Sequence, residues 1–168
     1  MFSSLFIAVI FILFSINAMA AGKEITVYKI IPNSNTSHVD LGTIVLSDTT
    51  YGLLITPNLN TLPPGVHAMM IYQNPSCAKG GLAAGGVWNP HHSGKHQGPY
   101  DNAGYLGDLP ALTVTADGKA ILPVLAPRLK LKDLTGHSLI IHVGDDNYSD
   151  DPPLGGAGAR IACAVIQK

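Results

Sequence analysis

Apolar and polar residues alternate with a period of two in short stretches set apart by Gly, Pro, Asn and Asp. Between Glu24 and Ile31, Ile25, Val27 and Lys29 oppose Thr26, Tyr28 and Ile30, the pattern of a strand with unlike faces. Val39–Leu46 and Tyr51–Ile55 follow, joined by the turn-forming run Ser47-Asp48-Thr49-Thr50. Asn58–Gly65 reads as a connection and Val66–Gln73 as a fourth strand. The clearest hairpin is Leu112–Ala116 and Lys119–Val124 around Asp117-Gly118, a pair that tolerates the positive φ of a tight turn. Ser138–Val143 and Ala159–Ile166 complete eight expected strands, and no segment sustains a helical period. The pattern predicts an all-β fold, an eight-stranded antiparallel sandwich or barrel.

Two stretches break the pattern. Asn74–Leu109 is rich in Gly, Pro, Asn and His, and Gly144–Gly158 has the same character. Loops this long inside a compact domain are usually functional or disordered. A Cys, a Trp, three His and two Asp in the first argue for a loop held by a disulfide and by polar or metal contacts.

A third exception is Leu5–Ile16, a nearly unbroken apolar run too short for a spanning helix, which needs about 20 apolar residues. It ends in Ala18-Met19-Ala20, a small-x-small cleavage pattern, although no Lys or Arg precedes it. Residues 1–20 are expected to be a secretory signal peptide and residues 21–168 one domain, periplasmic or secreted and free of the membrane once cleaved; an uncleaved anchor is the alternative. A formal net charge of −1 gives no reason to expect a nucleic-acid partner. Two cysteines, Cys77 and Cys163, in an exported chain most simply form one disulfide; two free thiols or a metal pair are the alternatives. Seven histidines, three of them in the long loop, raise a metal hypothesis beside the plainer reading of surface histidines.

From about Gly65 onward the order of motifs is specific. It includes Asn74-Pro-Ser-Cys77, Asn89-Pro90, Ser93-Gly-Lys-His96-Gln-Gly-Pro99, Leu106-Gly-Asp108-Leu-Pro110, Ala126-Pro-Arg128-Leu, Ile141-His142, Asp146-Asn-Tyr-Ser-Asp150 and Pro153-Leu-Gly-Gly-Ala-Gly-Ala-Arg160-Ile-Ala-Cys163. In these motifs the chain resembles the bacterial periplasmic copper–zinc superoxide dismutases. That resemblance implies a Greek-key β-barrel whose two long loops form the metal site, with copper and zinc as cofactors and often a homodimer. It also implies a Cys77–Cys163 disulfide, His142 as a copper ligand, and His96 and Asp108 as zinc ligands. Asp146 would be the carboxylate linking the two metal sites, Arg160 the guide for substrate, and His67 a structural histidine bonded to backbone.

The departures fall on the remaining ligands. Where the family has a Gly-x-His-Gly-Phe-His-x-His pattern, this chain reads Gly65-Val66-His67-Ala68-Met69-Met70-Ile71-Tyr72, so Met70 and Tyr72 stand at two copper positions. The bridging histidine position is Val87, and one zinc position is Tyr105. Copper(II) favours imidazole nitrogen, thioether sulfur suits copper(I), a phenol is a poor ligand near neutral pH, and Val87 has no donor. Met70, Tyr72 and Val87 can instead pack a vacated site. Structural zinc usually takes four ligands; His96 and Asp108 supply two, and His91 or His92 could swing in as a third. The expectation is an exported relative without dismutase activity, with no cofactor or a weakly held zinc and an unidentified protein partner. The alternatives are an active or residual superoxide dismutase, and a copper(I) binder using Met70, His142 and Met69.

Overall fold

The computed structural model describes residues 22–32, 34 and 39–167; the signal peptide expected over residues 1–20 lies outside them. Nine strands are described: β1 (Lys23–Lys29), β2 (Asp40–Thr49), β3 (Gly52–Leu59), β4 (Gly65–His67), β5 (Met69–Tyr72), β6 (Leu112–Val114), β7 (Val124–Ala126), β8 (His137–His142) and β9 (Arg160–Ile166). The described helices are single 3-10 turns at Leu82–Ala84, Leu131–Asp133 and Pro153–Gly156. None is long and apolar enough to cross a membrane.

Seven strands form one antiparallel sheet in the order β5-β8-β9-β1-β2-β3-β7, while β4 pairs with β6. The sheet curls, and isolated bridges cover its margins. Leu59 pairs with Ala120, while Met70 pairs with Asp108 and Tyr72 with Val87 on the outer side of β5. The connection from β7 to β8 crosses from one edge to a place beside the other, which makes the barrel a Greek key.

Three elements differ from the pattern-based reading. The strand expected over Val66–Gln73 divides at Ala68, whose N–H donates to Gly144 O at 2.7 Å and whose carbonyl accepts from His142 N at 2.9 Å. The first hairpin turns later than expected: β2 runs through Thr49, which pairs with Gly52. The Asp117-Gly118 turn forms, with Gly118 at φ 79° and its N–H bonded to Thr115 O. Its returning arm does not ladder with β6. Ala120 bridges to Leu59, and β7 pairs with β3 instead. Pro123 has no N–H to give a ladder, and Ile121 and Leu122 are exposed.

The alternation in β1, β2 and β3 buries one face in a main core with Ile25, Val27, Ile44, Leu46, Leu53 and Ile55. Burying each such side chain fully contributes about 1.5–3 kcal/mol. In β5 and β8 the alternation sorts residues between two cores. Met69, Ile71, Leu139 and Ile141 join the main core. Met70, Tyr72 and Ile140 face the other way into a second cluster with Val87, Ala84, Ala157 and Cys163. An antiparallel sheet can leave one face in water. Here the two long loops cover that face of β5 and β8, and the second cluster is the candidate site.

Candidate metal centre

The first loop is fastened at several points. Cys77 and Cys163 are disulfide-bonded, with Cα atoms 5.8 Å apart, and no cysteine is free among the described residues. Trp88 N–H donates to Ile71 O and Ile71 N–H to Gly107 O, both at 2.8 Å, so the loop adds its backbone to β5. A Cβ at Gly107 would collide with Ile71 O, which is why the close approach requires glycine. Trp88 also packs on His137, ring centroids 4.4 Å apart.

Arg128, which the motif Ala126-Pro-Arg128-Leu contains without a role of its own, organises the loop. Its guanidinium donates to Pro99 O (2.9 Å), Gly104 O (3.2 Å), Gly98 O (3.0 Å) and Tyr105 O (2.6 Å). One planar fork thereby satisfies four loop carbonyls that strand pairing leaves over. An Arg directly after a Pro at a strand end was the available signal, but its targets lie more than twenty residues upstream.

On the β5–β8 side, Tyr72 and His142 meet through their side chains. The Tyr72 hydroxyl lies 2.9 Å from His142 Nε2, and His142 Nδ1 lies 2.9 Å from Gly158 O. A carbonyl oxygen only accepts, so Nδ1 carries the hydrogen, Nε2 offers its lone pair and the phenol donates. Burial pushes the His142 pKa down, opposed by the Gly158 bond and assisted by Arg160, which holds the ring neutral. Burial pushes the Tyr72 phenol up, with Arg160 opposing it. The Arg160 guanidinium carbon sits 4.2 Å from the centroid of the Tyr72 ring, and the group donates to Gly81 O and Gly85 O. Met70 and Val87 close the same cluster. His67 belongs to the frame: Nδ1 is 2.8 Å from His142 O and Nε2 is 2.8 Å from Pro63 O.

Deeper in the loops, His96 is 1% exposed and lies between two carboxylates. Nδ1 is 2.8 Å from Asp108 Oδ1, and Nε2 is 2.7 Å from Asp146 Oδ1. Burial alone lowers its pKa; the hydrogen bonds and charges of Asp108 and Asp146 outweigh that and raise it to about 9. Both nitrogens then carry hydrogen, and the imidazolium supplies the positive charge that two buried carboxylates require. Asp108 Oδ2 accepts from Gly98 N at 3.0 Å, and Asp146 Oδ1 also accepts from Tyr148 N at 2.8 Å. Asp146 Oδ2 is buried without a hydrogen-bond partner. The Tyr105 ring lies 6.0 Å from His96.

The structure thus brings His96, Asp108 and Asp146 together, and His142 with Tyr72, Met70, Val87 and Arg160. His91 and His92 are exposed on the loop. His92, at φ 51°, borders an open cleft of about 340 Å³ with Tyr72, Val87, Tyr105 and Arg160. Among the described residues, no group of three or more His, Cys, Asp or Glu is placed to hold one metal ion. The two carboxylates at His96 face opposite ring nitrogens, so one ion cannot replace both hydrogen bonds.

Comparison with known proteins bears on the fold and the site together. The family model described as copper/zinc superoxide dismutase (SODC) matches residues 41–166. Superoxide dismutase (Cu-Zn) 1 of Salmonella typhimurium is 53% identical over 139 residues, spanning 77% of this chain and 78% of that protein. The Cu/Zn superoxide dismutase from Brucella abortus superposes with a TM-score of 0.81 at 41% identity, covering 88% of this chain and all of that one. A SOD-like protein from Bacillus subtilis superposes with a TM-score of 0.70 at 30% identity, covering 87% of this chain and 99% of that one.

Proposed function

The chain belongs to the copper/zinc superoxide dismutase family, and we propose that it is an exported member that keeps the barrel without catalysing dismutation. One observation carries the reading: the remaining copper-side imidazole spends its free lone pair on the Tyr72 hydroxyl at 2.9 Å. The other side chains at that place are a buried thioether, a phenol held protonated by burial, and Val87, which has no donor. Copper(II) prefers several imidazole nitrogens in tetragonal geometry, so this donor set does not fit it. Met69 and Met70 fall in opposite cores, so two thioethers do not converge for copper(I) either. On the His96 side, a zinc ion would have to displace a proton from an imidazole with a pKa of about 9, and each ring nitrogen faces a single carboxylate as a second ligand, Asp108 at Nδ1 or Asp146 at Nε2. Any zinc held there is weak.

Identity to named dismutases favours a second reading, in which the chain dismutes superoxide as the Salmonella relative's name states. It also has in its favour His96, Asp108, His142, Asp146 and Arg160, but those groups lack the partners that would complete a copper site. The test is the mature protein exposed to copper and zinc, freed of loose metal, and assayed by elemental analysis and pulse-radiolysis dismutation. The expected result is no stoichiometric copper and no dismutation beyond that of the residual free metal. Rapid, chelator-resistant dismutation that follows the protein peak would overturn the proposal. For location, the motivation is the apolar leader ending at Ala18-Met19-Ala20. Fractionation that found the intact leader in the cytoplasm would sink the export reading.

A further inference from the structure

The Tyr72–His142 contact has the ingredients of a chemistry that needs no metal. The phenol is fully buried, its hydroxyl donates 2.9 Å to an imidazole lone pair, and that imidazole is locked in one tautomer by Gly158 O. One-electron oxidation turns a phenol into a very strong acid, so the electron leaves easily only if a base already holds the proton's destination. Here the base is the ring that the phenol touches. A cleft of about 340 Å³ has Tyr72 in its wall, so a small oxidant in it stands within electron-transfer reach of the ring, while burial keeps the ring from coupling with a second chain.

We propose that Tyr72 and His142 form a proton-coupled redox pair, in which a small inorganic oxidising radical takes one electron from Tyr72 while the phenolic proton passes to His142 Nε2. The oxidant gains one electron. The Tyr72 O–H bond breaks and an Nε2–H bond forms, leaving a neutral phenoxyl radical hydrogen-bonded to an imidazolium. The Nδ1–H bond to Gly158 O is kept throughout. A one-electron reductant reverses both transfers, returning the electron to the ring and the proton to the oxygen. Arg160, stacked at 4.2 Å, places a cation over the ring and thereby makes the radical a stronger oxidant. Tyr105 is the other phenol on the cleft, and among the described residues no imidazole is hydrogen-bonded to its hydroxyl as His142 is to that of Tyr72.

The pair rests on the reading that no copper occupies His142, so metal content is measured first on the protein as purified. The mature chain is then oxidised by azidyl radical generated by pulse radiolysis, or mixed with hexachloroiridate(IV), and freeze-quenched for EPR. A tyrosyl component distinct from that of the exposed Tyr28, Tyr51 and Tyr100, vanishing in Tyr72→Phe and persisting in Tyr105→Phe, is expected. In His142→Gln its lifetime should fall about tenfold, the effect of losing one hydrogen bond. Electron–nuclear double resonance of the wild type covers the case in which that variant does not fold. It should show one exchangeable proton coupled to the phenoxyl and removed by D₂O. No radical, the same radical in Tyr72→Phe, or a Tyr72 radical without that coupling would each overturn the pair. Stoichiometric copper in the purified protein would overturn the metal-free reading as well, and elemental analysis distinguishes the two failures.

Discussion

Raising the pH should loosen this barrel through His96. The imidazole has an ordinary pKa of 6.5 and is raised to about 9 in the fold by Asp108 and Asp146. A group whose folded pKa is raised contributes stability that is complete below the unfolded pKa and disappears as pH climbs through the folded one. The contribution is therefore whole below about 6.5 and gone above about 9. At about 1.4 kcal/mol per pKa unit, the loss across that window is on the order of 3 kcal/mol. With a urea slope of about 2 kcal/mol/M, the unfolding midpoint should fall by about 1.5 M. His96→Gln removes the titrating group and leaves two buried carboxylates without a cation. At pH 6 it should cost about 3–5 kcal/mol, and the remaining stability should change little between pH 6.5 and 9. Urea unfolding followed by circular dichroism, in chelator to keep metals out, measures both slopes. A wild-type midpoint that stays flat across the window, or a His96→Gln slope equal to the wild type's, would refute the imidazolium account.

The remaining expectations concern the loop and the ligand positions. Replacing both cysteines (Cys77→Ser with Cys163→Ser) opens a loop spanning 86 residues and should lower unfolding free energy by about 2–4 kcal/mol; a change below about 0.5 kcal/mol, at the level of a neutral surface substitution, would contradict it. Arg128→Lys replaces a four-bond fork by one ammonium, and limited proteolysis should then cut between Gly98 and Tyr105 faster while strand amides keep their hydrogen-exchange protection. Met70→His, Tyr72→His, Val87→His and Tyr105→His together should restore uptake of copper and zinc, at an overpacking cost of about 1–3 kcal/mol. A folded quadruple variant that takes up neither metal by elemental analysis would show that the surrounding scaffold has drifted too.

Period-two alternation was enough to locate most of the strands, because each side chain's face follows from its parity in an extended chain, but it missed the break at Ala68 and overran the Lys119–Val124 arm. It identified the Asp117-Gly118 turn too, because positive φ is a local demand. The order of loop motifs made the family legible. Parity also put Met70 and Tyr72 on one face, and residue chemistry alone said that Met70, Tyr72 and Val87 are poor copper donors. Alternation could not say where the returning arm of the hairpin would pair. Ala120 meets Leu59 and β7 meets β3 because the sheet curls, a choice among partners distant in sequence. Nor could it show that β5 and β8 are buried on both faces, since their cover comes from loops without a period. The contacts that give the site its chemistry span 70 residues between Tyr72 and His142 and 50 between His96 and Asp146. Hydrogen-bond partners, tautomers and pKa shifts depend on distances of a few ångströms between such residues, and only the folded barrel sets those distances.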